Sequence, residues 1–310
     1  MTIISTCKSF TVAATLCYSG LLYADIFILP PPDVDIVGQV QSVTASRDET
    51  LLDIARRHDL GQNEILLANP GVDRWLPEEN ATVTLPNRFI LPNVERTGLV
   101  LNLPEMRMYY YPEAEPGETP LVVTHPVSVG RMDWETPLGK TRITNKQKDP
   151  DWRPPQSLKD EAIALGDDPL PDIVKAGPDN PLGRYAMRLG IPGYLIHSTN
   201  KPYGVGMRVT HGCLRMYPED IERLFVDIPV NTPVHIINQP IKLGWLADTL
   251  FVELHPPLEE DQQLYADYMQ KALDAIAEFT AGEDINISGR MLWKAIEHQN
   301  GIPCLLYTSP

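Results

Sequence analysis

Val209-Thr210-His211-Gly212-Cys213-Leu214-Arg215, read together with Leu195-Ile196-His197-Ser198-Thr199, is the stretch on which the chain turns. Cys213 is the only cysteine between the N-terminal leader and the last seven residues. A lone thiol in an exported chain has no intramolecular partner, so a disulfide does not account for it. Two readings remain. A free cysteine packs readily as a small inert hydrophobe; it is also a nucleophile when a nearby imidazole takes its proton. Gly212 immediately before the thiol favours the second reading, because glycine lets backbone N–H groups approach a substrate carbonyl closely. His211 and His197 both offer the imidazole.

The compartment follows from residues 1–24. Lys8, an apolar stretch from Phe10 to Leu22, and Tyr23-Ala24 before Asp25 have the layout of a cleaved secretory signal. The apolar run is short for a membrane span, although an uncleaved anchor is the alternative. Cys7 and Cys17 leave with the leader, and Thr6 and Leu16 occupy the places where a lipoprotein signal needs a small residue. The mature chain is expected to be soluble and periplasmic. A formal net charge of −15 over 310 residues, with no basic stripe, excludes a nucleic-acid partner. Thirty prolines argue against a helical bundle and for a strand-rich protein with many fixed turns.

The chain divides into parts. Residues 38–86 open on a short strand, Val40-Gln41-Ser42-Val43. A helix capped by Thr50 through Leu51–His58 follows, then a second capped by Asn63, and the strand Ala81–Pro86 closes the segment. This βααβ order resembles a LysM module, which binds N-acetylglucosamine polymers. The resemblance rests on Asp48-Glu49-Thr50-Leu51, Ile54-Ala55-Arg56-Arg57-His58 and Leu66-Leu67-Ala68-Asn69-Pro70-Gly71. Ser46-Arg47-Asp48 stands where that module has a Pro-Gly-Asp turn. Residues 87–96 read as a short linker between two separately packed cores.

A second unit spans residues 96–239. Leu99–Leu103 and Arg107–Tyr111 form a hairpin, Leu121–Gly130 a further strand, and Asn231–Ile237 a late one. The stretch from Asn145 to Pro181 is dense in proline, glycine and acid, as expected of an ordered loop or lid. A short helix follows the cysteine at Pro218–Phe225. Residues 240–303 hold an amphipathic helix near Glu260–Phe279 and read as a C-terminal appendage; residues 304–310 depart from what precedes them and read as a non-native tail. The fold class expected is mainly β or α+β.

The pattern His197 … Thr210-His211-Gly212-Cys213-Leu214-Arg215, with Glu135-Thr136-Pro137-Leu138-Gly139-Lys140, resembles the catalytic domain of the L,D-transpeptidases, the YkuD type. The likeness extends through Leu101–Pro112, Ala176–Gly183 and Asn300–Pro303, stretches similar to periplasmic members that carry a LysM module. It implies attack by Cys213 on the bond between diaminopimelate and D-alanine in a peptidoglycan stem tetrapeptide, forming a thioester that an amine then resolves. His197 is implied as base and acid, a dual role suited to imidazole's ordinary pKa of about 6.5. Ser198 is implied to orient it through its main-chain carbonyl, and Gly212, Cys213 and His211 to supply oxyanion donors.

Around that core, His211 is read as a loop-shaping residue rather than a second base. Arg215 is either a substrate-carboxylate clamp or half of a structural ion pair. Tyr194 and Tyr185 are read as walls of the substrate groove, or as buried packing. His125 and His235 lie in strand-like runs and are read as non-catalytic. No spacing of cysteine and histidine suits a metal, and no cofactor is expected. The acyl acceptor stays open between a lysine of an outer-membrane lipoprotein, a second diaminopimelate, and water in a carboxypeptidase or amidase. A non-catalytic peptidoglycan-binding protein is the alternative outside the enzyme class.

Overall fold

A computed structural model describes residues 25–281 and 285–308; the leader reading for residues 1–24 lies outside them. Among the described residues the architecture is strand-dominated. A mixed nine-stranded sheet runs in the order Asp25–Ile28, Leu121–Pro126, Arg107–Tyr111, Gly98–Asn102, Pro233–Ile237, Gly139–Lys148, Tyr185–Leu189, Leu195–His197 and Leu214–Arg215. Neighbours pair antiparallel except at two places. Gly98–Asn102 lies parallel to Pro233–Ile237, and Leu195–His197 lies parallel to Leu214–Arg215. The main core buries Leu99, Leu101, Met108, Met187, Ile196, Leu214 and Met216 with Ile221 and Leu224 of a helix.

Six α-helices occur among the described residues: α1 Leu51–Arg57, α2 Gln62–Ala68, α3 Gln156–Leu165, α4 Pro218–Asp227, α5 Tyr268–Phe279 and α6 Gly289–His298. Helix α1 begins in a capping box. The Thr50 hydroxyl accepts the Asp53 N–H at 3.1 Å, and the Asp53 carboxylate accepts the Thr50 N–H at 3.0 Å. Helix α2 starts earlier than the Asn63 cap implied. Its cap is Gly61, whose N–H donates to Glu64 Oε2 at 2.6 Å. A Cβ on Gly61 would lie 2.8 Å from the Gly206 Cα, so glycine is needed for backbone to meet backbone. The N–H groups of Gln62 and Asn63, orphaned at a helix start, donate to Val205 and Gly206 of the catalytic unit at 2.9 and 3.1 Å.

The N-terminal module is thus joined to the larger unit over a polar and an apolar surface. Phe89 and Leu91, in the stretch read as a linker, pack in one cluster with Val100, Tyr109, Tyr111, Val122 and Ile237. Residues 87–92 are largely core rather than tether, because Arg88–Ile90 also pairs with Ile36–Gly38, whereas Asn93 and Glu95 are exposed. Arg107, wholly buried, donates to both Glu64 oxygens at 2.7 and 2.9 Å and to the Asp59 carbonyl at 2.9 Å. Arg56 makes a second bidentate pair with Glu219 at 2.7 and 2.9 Å.

Three further stretches differ from the sequence reading. The 145–181 stretch is not irregular throughout: its sheet strand continues to Lys148, and α3 forms at Gln156–Leu165, closed by Gly166 in the left-handed region. The C-terminal helix begins only at Tyr268, with Asp267 accepting the Gln270 N–H at 2.9 Å. Cys304–Thr308, in the segment read as a foreign tail, pairs antiparallel with Thr249–Leu254 and buries Leu306 to 1% exposure. No helix among the described residues is long and apolar enough to cross a membrane.

Because Arg107 is desolvated on all sides, its charge depends on Glu64. Glu64→Gln should lower unfolding stability by about 3 kcal/mol, the lower end for a broken buried pair, because Asp59 and Asp25 still act on the guanidinium. Urea unfolding followed by circular dichroism measures it; a change below about 1 kcal/mol, the size of an exposed pair, would show that the contact is not desolvated.

Candidate active site

The site is built by two in-register pairs. Ile196 lies opposite Leu214 and His197 opposite Arg215 across the parallel ladder. Side chains alternate faces along a strand, and Ile196 and Leu214 both enter the core. His197, Cys213 and Arg215 therefore share the other face. The next strand pairs Ala186 with His197 and Arg188 with Leu195, which adds Arg188 to that face. Sequence reading missed Arg188; only the register, not any motif, brings it there.

His197 is buried to 5% exposure, and its Nδ1 lies 2.6 Å from the Ser198 carbonyl oxygen. The carbonyl can only accept, so Nδ1 carries the proton and donates it, which leaves Nε2 as the basic nitrogen. The Ser198 N–H is itself held by the Tyr185 carbonyl at 2.9 Å. Burial, and then the Arg215 charge, push the His197 imidazole down to about 4. Burial likewise pushes the Cys213 thiol up, opposed by the Leu195 backbone and by Arg215 and Arg188. The resting pair is consequently neutral thiol and neutral imidazole. The thiol donates to the Gly193 carbonyl at 3.6 Å.

The loop before the thiol is fixed through its carbonyls. Thr210 Oγ1 donates to the Cys213 carbonyl at 2.6 Å, and Thr136 Oγ1 donates to the Gly212 carbonyl at 3.0 Å while accepting the Gly130 N–H at 3.0 Å. Gly212 has φ +90, and a Cβ there would stand 2.6 Å from the Tyr194 ring. Tyr194 covers the glycine and donates its hydroxyl to the Glu135 carbonyl at 3.2 Å. Tyr185 is not brought to the thiol. It faces the opposite side of the sheet, buried against Phe225 with its hydroxyl 2.6 Å from Glu222 Oε1, because it alternates with Ala186.

His211 stands apart from the base. Its Nε2 lies 2.8 Å from Glu161 Oε2 on α3, the same carboxylate bonds Arg131, and the ring meets Trp134 edge-on at 5.2 Å. The 145–181 segment is therefore tied to the nucleophile loop through Glu161, a link that no sequence spacing reveals. Arg215 makes no ion pair among the described residues, and its Nε is buried without a partner. Of the other histidines, His235 lies on a strand in the middle of the sheet and His125 on a strand near its far edge, both away from the thiol.

Two expected outcomes follow. Thr136→Val leaves the Gly212 carbonyl and the Gly130 N–H unsatisfied, at a cost of about 1–3 kcal/mol in stability, with lowered turnover. Thermal unfolding and a rate assay on one preparation measure both; unchanged values would mean the hydroxyl does not hold the loop. The acid limb of kcat/KM should fall near pH 4, where His197 protonates. Arg215→Gln removes a cause of the depression and should move that limb upward, toward the ordinary histidine value. A limb that stays in place would detach Arg215 from the imidazole.

Residues 96–236 match the family described as the L,D-transpeptidase catalytic domain, YkuD. The chain is 35% identical over 288 residues to probable L,D-transpeptidase YbiS of Escherichia coli (strain K12), covering 90% of each. It is 37% identical over 257 residues to probable L,D-transpeptidase YcfS of the same organism, covering 81% of this chain and 79% of that one. The crystal structure of L,D-transpeptidase 3 from Mycobacterium tuberculosis overlays 53% of this chain and 73% of its own at 18% identity, with a TM-score of 0.33. With this extent of shared sequence, the chain belongs to the L,D-transpeptidase family of cell-wall enzymes.

Proposed function

We propose that the chain is a periplasmic, cysteine-dependent transpeptidase acting on peptidoglycan stem tetrapeptides. The observation that carries this reading is the shared face of His197, Cys213 and Arg215, with Nδ1 of His197 held by the Ser198 carbonyl. In the first step Cys213 Sγ bonds to the carbonyl carbon of the L-centre of diaminopimelate. Its proton passes to His197 Nε2 and then to the departing nitrogen of D-alanine, whose C–N bond breaks. In the second step an amine attacks the thioester, gives its proton to His197, and expels the thiolate, which takes the proton back. The N–H groups of Gly212 and Cys213 stabilise the oxyanion. Losing one such donor costs about 2.7–4 kcal/mol of barrier.

Arg215 is read as the clamp for a substrate carboxylate. A guanidinium beside the thiol with no acidic partner among the described residues favours that over a structural ion pair. The module at residues 38–86 is read as LysM-like and as the part that holds glycan strands. For the acceptor, a lipoprotein lysine is preferred over diaminopimelate and water, on similarity along the whole chain.

The test is mass spectrometry of the enzyme with disaccharide-tetrapeptide. An acyl adduct on Cys213 with release of D-alanine is expected, as is a carbapenem adduct at the same residue, with neither on Cys213→Ala. Adding a lysine-ended peptide should yield the branched product. Release of a tripeptide in its place would establish water as acceptor, and an unreactive Cys213 would remove the enzyme reading.

A further inference from the structure

Away from the thiol, three side chains distant in sequence meet where the N-terminal module joins the sheet. Asp59 follows α1, with φ 51; His125 lies on Leu121–Pro126; Asp220 sits in the first turn of α4. They are 7%, 1% and 5% exposed. One ligand atom from each lies within 4.8 Å of the others. His125 Nδ1 stands 3.5 Å from Asp59 Oδ2 and 3.7 Å from Asp220 Oδ1. Neither is a good hydrogen-bond distance, and a single ring N–H cannot serve both carboxylates. Asp59 Oδ1, His125 Nδ1 and Asp220 Oδ2 are all buried and without hydrogen-bond partners.

We propose that Asp59, His125 and Asp220 bind a divalent transition-metal ion of the zinc kind, which fastens the N-terminal module to the catalytic unit. One nitrogen and two carboxylate oxygens are ligands such an ion accepts. With metal–ligand distances of roughly 2.0–2.2 Å, tetrahedral geometry sets ligand–ligand edges of roughly 3.3–3.6 Å. The His125–Asp59 separation of 3.5 Å lies within that range, and the His125–Asp220 separation of 3.7 Å lies just beyond it.

Charge supports the same conclusion. Asp25, Asp59, Glu64 and Asp220 interact at this junction with Arg107 and His125 as the counter-charges among the described residues. Arg107 is engaged by Glu64, by the Thr124 hydroxyl and by the Asp59 main chain, so it bonds neither aspartate side chain. A proton on His125 leaves more negative charge uncompensated than a dication does. A second buried cluster in this chain, Glu105, Glu253 and His255, makes the contrast. It contains its own cation, Lys242, whose Nζ lies 2.5 Å from Glu105 and 2.7 Å from Glu253. The Asp59 cluster has no lysine. A cavity of about 330 Å³ lined by Asp25, His58, Asp59 and Asn87 reaches the cluster at Asp59.

The test uses the full mature chain, stripped with a chelator and exchanged into metal-free buffer. Zinc is titrated against a chromophoric chelator, bound metal is counted by elemental analysis, and the unfolding midpoint is recorded with and without zinc. One equivalent should bind to the wild-type chain and to Cys213→Ala, raising the midpoint by several degrees in both. His125→Gln and Asp220→Asn should each lose most of the affinity and the midpoint shift. Absence of a stoichiometric ion on the wild-type chain, which needs no variant to fold, would overturn the proposal in favour of an imidazolium between two aspartates. Loss of binding in Cys213→Ala, with retention in His125→Gln, would overturn it by assigning the ion to the catalytic thiol.

Discussion

The pairing of Leu195–His197 with Leu214–Arg215 is the constraint from which the catalytic geometry follows. Two residues of parallel ladder lock Ile196 and Leu214 into the core, and the strand period then compels His197, Cys213 and Arg215 onto the opposite face. A slip of one residue would bury the imidazole among methionines and turn leucine toward the substrate. The apolar anchors make such a slip costly, so the core enforces the catalytic register although no core side chain touches the chemistry.

The same face explains the electrostatics. His197 loses solvent and gains the Arg215 guanidinium as neighbour, and both disfavour an imidazolium. Cys213 also loses solvent, but for a thiol the arginines act the other way and favour the anion. One cation thus disfavours the imidazolium of His197 and favours the anion of Cys213.

A second dependence runs through Arg107. A guanidinium with no exposed surface requires Glu64 from the N-terminal module, and Glu64 in turn accepts the N–H that starts α2. The start of that helix, the seating of the module and the neutrality of the sheet interior are therefore one interaction. The apolar contact of Phe89 and Leu91 with Tyr109 and Tyr111 reinforces it. The module is held in a fixed relation to the sheet by these two contacts.

The placing of Cys213 after Gly212 and the Thr50 capping box were legible in the sequence, because each depends on neighbours close along the chain. So were the Gly98–Asn102/Arg107–Tyr111 hairpin, the α4 helix and the strand-rich class. Arg188, Glu161 and the orientation of Tyr185 were not, since register and chain reversal determine which face or loop a side chain meets. Residues 87–96 looked like a tether because they lie between two segments with their own strand and helix patterns, whereas Phe89 and Leu91 are buried by strands that lie elsewhere in the sequence. The gathering of Asp59, His125 and Asp220 belongs wholly to the tertiary level. The sequence determined which chemical groups this protein owns and how its local turns and helices begin, for these are short-range sterics and hydrogen bonding. Only the folded sheet decided which of those groups face one another without water between them, because burial and long-range pairing are properties of the assembled core.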